Sequence, residues 1–213
     1  MSEDRHQRQR SQILRAAAKA IADRGLPDTR MADVAKEIGV TPPSLLHYFP
    51  TKDALLAEAL SYADQAQFER VQHELAKQVG SMAQLAWFIN HNLNIRGSAR
   101  DGWRQDWNLW IEVWARALHD GVVASARRQQ DARWRKLVTD IVANGQTSGE
   151  FVQGSAEEFA LLLRGVMDGL AVQLALRDPG MTRRRAVAIC LDLVTRHLVP
   201  SGGDKNKVRQ RAP

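Results

Sequence analysis

The chain has 213 residues, of which 44% are hydrophobic and 25% are charged, and it contains one cysteine. This length accommodates one large or two small domains with hydrophobic cores. A single cysteine excludes an intrachain disulfide, no apolar run approaches the roughly 20 residues that cross a bilayer, and the N-terminus lacks the apolar stretch of a secretory signal. We therefore expect a cytoplasmic protein without a membrane partner.

The net charge of +6 is weak evidence for a nucleic-acid partner, because half of it lies in residues 201–213. That segment is polar and basic, and we expect a disordered tail. Arg5, Arg8 and Arg10 cluster just before the first apolar residues. They fit either a solvated chain end or an arm that contacts phosphates or a minor groove.

Helical periodicity is nearly continuous along the chain and no strand-like alternation persists, which predicts an all-α fold of about nine helices. The first helix is expected from about Gln7 to Arg24, closed by Gly25. Six further helices are expected after residue 50, with caps at Thr51, Ser155 and Thr182. Their expected bounds are about residues 52–80, 82–95, 103–118, 122–144, 156–176 and 183–199.

The segment MADVAKEIGVTPPSLLHYFPTK, residues 31–52, predicts two short helices joined by a tight turn. Apolar residues of its first helix recur at helical spacing, and Gly39 follows where a left-handed residue can end that helix. Thr41 can cap the second helix with its hydroxyl. Leu45 and Phe49 are four residues apart and would bury the second helix against the first. This pattern is typical of a helix-turn-helix, which fits a DNA major groove.

Four tryptophans of the predicted sixth helix form a stripe. Trp103, Trp107, Trp110 and Trp114 have spacings of 4, 3 and 4, which place them within about 60° on a helical wheel. The functional interpretation is the aromatic wall of an effector pocket, with a cation over the ring faces and Asp106 beside it. The alternative is ordinary core packing.

The predicted eighth helix has apolar residues on two opposite sides, and both sides must be covered. We expect the last two helices to form half of an intermolecular four-helix bundle in a homodimer, with burial inside one chain as the alternative. The expected interface residues are Phe159, Leu163, Val166, Leu170, Leu174, Val187, Leu191 and Val194.

Asp168 is a carboxylate in an apolar part of the eighth helix. It could orient an effector or accept structural hydrogen bonds. Glu69 and His73 share a helix face without an evident third ligand, so no metal site is expected. We found no catalytic grouping and no cofactor motif, and we therefore expect no cofactor and no enzymatic activity.

Over about its first 60 residues the chain resembles the tetracycline-repressor (TetR) family of bacterial transcriptional regulators. The family motif is present in order and spacing, as Ile13 to Ala22, Thr29, Val34-Ala35, Gly39-Val40, Tyr48-Phe49 and Lys52. Two positions depart from it, since the family often has Gly where Pro43 stands and Tyr where Leu46 stands. The segment WIEVWARALHDG is also similar to the branch that holds the choline-responsive repressor of betaine synthesis, which implies a quaternary ammonium or polyamine effector.

The resemblance implies a three-helix helix-turn-helix DNA-binding domain at residues 1–52 and an effector-binding and dimerisation domain at residues 53–200. The expected function is that of a repressor released from a pseudo-palindromic operator in double-stranded DNA by a small molecule. The expected DNA contacts are Thr29, Tyr48 and Lys52 at phosphates and Thr41, Pro42, Pro43, Ser44 and His47 at base edges. Two alternatives are a ligand-independent architectural DNA-binding protein and an α-helical enzyme or carrier.

Overall fold

The computed structural model describes residues 2–25, 27–94 and 107–200, and all regular secondary structure in these ranges is helical. The predicted all-α fold is confirmed. Within the described ranges no helix is long and apolar enough to span a membrane, and no group of metal-ligating side chains is placed to hold an ion. The helices are α1 Ser2–Arg24, α2 Met31–Glu37, α3 Pro42–Tyr48, α4 Lys52–Leu75, α5 Ser81–Asn92, α6 Trp107–Ala117, α7 Gly121–Thr147, α8 Ala156–Ala175 and α9 Arg183–Leu198.

The chain divides into two compact units. The first consists of Met1–Arg70 and Asp106–Gln130, and the second consists of Val71–Gln105 and Asp131–Pro213. Helices α4 and α7 therefore contribute one part to each unit. The first unit is larger than the DNA-binding domain predicted for residues 1–52, because it also contains most of α4, all of α6 and the first part of α7.

The core of the first unit lies among α1, α2, α3 and the first turns of α4. Helix α1 contacts α2 and α6, and α2 contacts α3. Gly25 and Gly39 have φ angles of 84° and 69°, so each adopts the left-handed conformation predicted for a helix end. The core side chains, none more than 1% exposed, are Ile13, Ala17, Ile21, Val34, Ala35, Leu45, Phe49, Leu55 and Ala59.

Two ion pairs connect α1 with α2 in this unit. Arg24 Nη1 lies 2.9 Å from Asp33 Oδ2, and Lys19 bonds Glu37. Hydrogen bonding to these cations lowers the pKa of both carboxyls. The pairs are solvent-exposed, so they orient the helices more than they stabilise them.

The second unit is built around α5, α8 and α9, with the C-terminal part of α7. Helix α9 contacts both α5 and α8. Burial raises the pKa of the Cys190 thiol to about 11, so this thiol is neutral in the folded protein. Its fully buried side chains include Leu85, Phe88, Ile89, Val138, Val142, Ala160, Leu163, Ala171, Cys190 and Val194.

A carboxylate from the turn after α7 caps the N-terminus of α5. The two oxygens of Glu150 accept hydrogen bonds from the backbone N–H groups of Ser81 and Met82, at 2.7 and 2.8 Å. The first N–H groups of a helix have no partner within it, and a negative charge complements that end of the helix dipole. Glu150 thereby connects segments of the second unit that are distant in sequence.

Three of the predicted helix caps are confirmed. The hydroxyls of Thr51, Ser155 and Thr182 accept hydrogen bonds from backbone N–H groups three residues later, at 3.0, 3.1 and 3.2 Å. Each bond satisfies a donor that the helix leaves open, which typically stabilises the helix by about 1 kcal/mol.

Candidate nucleic-acid interface and effector region

Helices α2 and α3 with their turn form a helix-turn-helix. Gly39 donates its N–H to Lys36 O at 3.3 Å and Val40 donates to Ala35 O at 3.0 Å, so the turn closes on the end of α2. Leu45 and Phe49 are both 0% exposed and hold one side of α3 against the core. Burying an aliphatic or aromatic side chain of this size typically contributes about 1.5–3 kcal/mol, which fixes the orientation of this short helix.

The opposite side of α3 is exposed to solvent. Pro42, Pro43, Ser44 and His47, all predicted at base edges, are exposed, and Leu46 is 52% exposed. The structure therefore brings the predicted base-side residues of α3 together on one accessible face.

Thr41 occupies the N-cap position of α3, but its hydroxyl makes no cap hydrogen bond, so this prediction was wrong. Prolines at positions 42 and 43 have no N–H to donate, and Ser44 donates its N–H to the Thr41 carbonyl at 3.0 Å. The Thr41 hydroxyl lies 2.9 Å from the Ser44 hydroxyl instead. The two exposed hydroxyls thus form a pair.

The three predicted phosphate residues have different environments. Lys52 is half-buried at the first position of α4 and donates from Nζ to Pro27 O at 3.1 Å. Tyr48 is half-buried, stacks on His6 with ring centroids 4.7 Å apart, and meets the edge of the His47 ring at 5.7 Å. Both lie at the ends of helices next to the exposed face of α3.

Thr29 is 1% exposed, and its hydroxyl donates to Gly25 O at 2.7 Å. The structure gives this side chain a hydrogen bond inside the first unit in place of the predicted phosphate contact. The sequence could not distinguish the two roles, because a threonine before a helix suits either of them.

The N-terminal arginines are part of α1, which begins earlier than predicted. Arg8 pairs with Asp4 at 2.6 Å on the exposed helix surface. Arg10 pairs with Glu58 of α4, and its guanidinium carbon lies 4.9 Å from the centre of the Phe49 ring. Arg10 therefore packs inside the first unit, a role that the sequence did not indicate.

The tryptophan stripe continues on α6 in the first unit. Trp107 and Trp110 are 5% and 9% exposed, and the ring centroids of Trp107 and Trp114 are 5.8 Å apart in an edge-to-face arrangement. Trp103 and Asp106 lie outside the described residues.

The ring faces of Trp110 and Trp114 already carry a cation in this structure. The guanidinium carbon of Arg127, on α7, lies 5.4 Å and 5.3 Å from the two ring centroids. Distances below about 6 Å are typical of cation–π contacts. The stripe thus has the geometry expected for holding a positive charge, and no signal in the sequence identifies Arg127 as its partner.

A pocket open to solvent lies between α4, α6 and α7 of the first unit, with about 450 Å³ of empty space. At its edge, Arg116 of α6 forms a bidentate ion pair with Asp53 of α4, with nitrogen–oxygen distances of 3.2 and 3.3 Å. The hydrogen bond to Asp53 raises the pKa of the Arg116 guanidinium. The other lining residues are Leu56, Ala57, Leu60, Ser61, Val113, Val123, Ala126, Arg127 and Gln130.

Asp168 lies on α8 in the second unit and is half-buried. Its Oδ1 is 3.8 Å from Arg164 Nη2, one helical turn earlier. This contact fits the structural interpretation of Asp168 that the sequence left open beside the effector interpretation.

The predicted interface stripe of α8 and α9 faces the interior of a single chain. Phe159, Leu163, Leu170 and Val194 are at most 7% exposed, so they are not a surface available to a second copy. This corrects the prediction for these four residues; the other four, Val166, Leu174, Val187 and Leu191, are half-buried, and their place in an interface stays a prediction.

The apolar residues that are exposed on these helices belong to other positions. Leu161 and Leu162 of α8 are 51% and 42% exposed, and Ile189 of α9 is 38% exposed. Gly165 and Gly169 are also exposed, and a Cβ atom added at either would meet nothing within 4 Å. The prediction that α8 is apolar on two sides is confirmed, and the side around Leu161 and Leu162 is the one exposed to solvent.

An N-terminal and a C-terminal segment of the chain each match a model of a known protein family. Residues 13–59 match the family model of bacterial regulatory proteins of the tetR family. Residues 98–199 match the model described as the C-terminal part of BetI-type transcriptional repressors.

Relatives of the chain match over nearly its whole length. The HTH-type transcriptional regulator BetI of Serratia proteamaculans (strain 568) is 26% identical over 191 residues, which are 87% of this chain and 90% of the relative. BetI of Escherichia coli (strain K12) is 25% identical over 191 residues, covering 89% and 93%.

A solved structure is also similar. A protein from Saccharomonospora viridis, described as a transcriptional regulator in complex with choline, superposes with a TM-score of 0.80 and 26% sequence identity, covering 92% of this chain and all of that one. The exposed helix-turn-helix and these matches define an effector-responsive, DNA-binding transcriptional repressor. The chain belongs to the TetR family.

Proposed function

We propose that two copies of this chain bind a pseudo-palindromic operator, with α3 of each copy in a major groove, and that a small organic cation releases them. The exposed side of α3 is the observation that carries the DNA-binding part. Among the residues that the structure describes, this face is exposed to solvent, while Leu45 and Phe49 fix the opposite side. A helix held in this way can enter a groove without rearrangement of its own domain.

Lys52 and Tyr48 are the proposed phosphate contacts. Lys52 opens α4, where the positive end of the helix dipole adds to its own charge. The Tyr48 phenol can donate a hydrogen bond to a phosphate oxygen. Such contacts position a protein on DNA without selecting a sequence.

The proposed dimer contact is the exposed apolar surface of α8 and α9 around Leu161, Leu162 and Ile189. Gly165 and Gly169 lie on the exposed surface of α8, where the absence of side chains lets another helix approach closely. A two-fold axis through this contact would relate two α3 helices and two half-sites.

The proposed effector is a compact organic cation of the choline class. The Saccharomonospora viridis protein binds choline, and the Trp110 and Trp114 faces of this chain hold a guanidinium. A ligand cation on these faces would compete with Arg127 for the same ring surface. Cation–π contacts of this kind contribute about 0.5–2 kcal/mol each.

The test uses the purified full chain and DNA from the region upstream of its own gene. Fluorescence anisotropy should show binding that a scrambled duplex of the same composition does not reproduce. Choline should weaken that binding and quench tryptophan fluorescence over the same concentration range. By linkage, bound operator should weaken choline binding by the same factor.

The possible failures have separate meanings. Equal affinity for scrambled DNA would overturn sequence-selective regulation by this chain. Selective DNA binding that choline leaves unchanged would overturn the effector class alone. A matched control is Trp134→Phe, because Trp134 lies in the second unit and the same choline response is expected when it is replaced.

A further inference from the structure

The recognition helix lacks the side chains that usually identify bases through paired hydrogen bonds. Helix α3 has the sequence PPSLLHY and contains no Arg, Lys, Asn or Gln. Arginine and lysine normally identify guanine in the major groove, and asparagine and glutamine identify adenine. If α3 is the DNA-contacting helix, as proposed above, it must select bases by another kind of contact.

The exposed face of α3 has an apolar half and a polar half. At 100° per residue, Pro42, Leu46 and Pro43 lie within one 100° arc, and Ser44, His47 and Tyr48 lie on the adjoining arc. Both prolines are exposed, and Leu46 is 52% exposed. Single exposed leucines are common on proteins, but here three neighbouring apolar side chains form a continuous strip.

Two residues of the polar half already contact neighbouring side chains. The Ser44 hydroxyl is 2.9 Å from the Thr41 hydroxyl, and the His47 ring meets the Tyr48 ring edge-on at a centroid distance of 5.7 Å. In the apolar strip, by contrast, all three residues are exposed.

Thymine is the base whose major-groove edge carries a methyl group, and apolar side chains contact that group. Side chains three or four residues apart on a helix are about 5–6 Å apart, while successive bases on a strand are separated by about 3.4 Å. Leu46 and the two prolines would thus reach methyl groups within about three consecutive base pairs.

We propose that the Pro42–Pro43–Leu46 strip of α3 recognises thymine methyl groups, and that Leu46 is a specificity-determining residue of this regulator. The inference rests on the proposed placement of α3 in the major groove. It assigns the operator a class of sequence, half-sites with clustered thymines, and assigns their recognition to apolar contact.

The experiment compares thymine with uracil, which differs by the methyl group alone. Duplexes that bind the full-length protein are first selected from a randomised DNA pool, and thymines in each half-site are then replaced by uracil one at a time. Each buried methyl should contribute about fourfold in affinity. One such methyl in each of two half-sites should therefore give a loss of about 15-fold.

Leu46→Ala tests the assignment to this side chain. Leu46 is exposed, so the variant should fold normally, and its preference for thymine over uracil should decrease at one position of each half-site. Lys52→Ala is the matched control, because loss of a phosphate contact should weaken binding to thymine and uracil duplexes by the same factor.

Equal affinity of the wild-type protein for thymine and uracil duplexes would overturn the inference and leave the proposed function standing. A thymine preference that Leu46→Ala retains in full at every position would overturn the role of Leu46. If the randomised pool yields no enriched sequence, the proposed DNA-binding function fails, and the inference fails with it.

Discussion

Replacing Leu163 by alanine tests which side of α8 packs inside one chain. Leu163 is 0% exposed, so the change removes three buried carbon atoms and leaves a cavity. Changes of this kind reduce the free energy of unfolding by about 2–5 kcal/mol. Because globular proteins have total stabilities of about 5–15 kcal/mol, this is a large loss.

Leu161→Ala is the matched variant on the same helix. Leu161 is 51% exposed within the chain, so its truncation should change the stability of a single copy by about 0.5 kcal/mol. Leu161→Asp should place an unpaired charge in the proposed dimer contact and dissociate the dimer. The two leucines thus separate folding from association.

The assay is urea unfolding followed by circular dichroism at two protein concentrations, with light scattering for the mass. Leu163→Ala should lower the unfolding midpoint at both concentrations, while Leu161→Asp should halve the mass. The reasoning is refuted if Leu163→Ala dissociates the protein without lowering its stability, or if Leu161→Asp leaves a stable dimer.

Three further predictions concern other regions. Lys52→Ala should reduce affinity for all DNA sequences, and it should reduce the slope of log affinity against log salt by about one per subunit. An unchanged slope in a salt titration would contradict the proposed phosphate contact. Arg127→Met should strengthen choline binding, because it removes the cation that now covers Trp110 and Trp114. Calorimetry measures this affinity, and weaker binding by the variant would contradict the proposed competition between choline and Arg127. Because burial raises the pKa of Cys190 from 9.0 to about 11, the folded form holds this proton more tightly than the unfolded form. The Cys190 contribution to stability is therefore present below pH 9.0 and lost as the pH rises towards about 11. The urea midpoint of Cys190→Ala should therefore fall less across that range than the midpoint of the wild-type protein. An equal fall in both proteins would contradict this prediction.

Local signals in the sequence predicted local structure well. Gly25 and Gly39 end helices because each can adopt a left-handed conformation, and Ser155 and Thr182 cap helices through donors three residues away. The Thr41 cap was predicted by the same local logic and is absent, because the N–H of Ser44, three residues later, donates to the Thr41 carbonyl and not to its hydroxyl.

Contacts between distant segments were beyond sequence reasoning. Periodicity showed that α8 has two apolar sides, but Leu161 and Leu163 carry the same signal, and only the packed chain distinguishes them. The tryptophan stripe was evident from its spacing, whereas Arg127 lies on another helix and has no signal linking it to Trp110. Glu150 likewise caps a helix that begins 69 residues before it.

The division of the chain into two units has a consequence for how an effector would reach DNA. Helix α6, with Trp110 and Trp114, belongs to the same unit as the helix-turn-helix. Arg116 of α6 forms an ion pair with Asp53, the residue that directly follows Lys52. A cation on the indole rings would therefore act on a helix that is bonded to α4 next to Lys52, the proposed phosphate contact, and its effect could reach the DNA-binding surface within one compact unit.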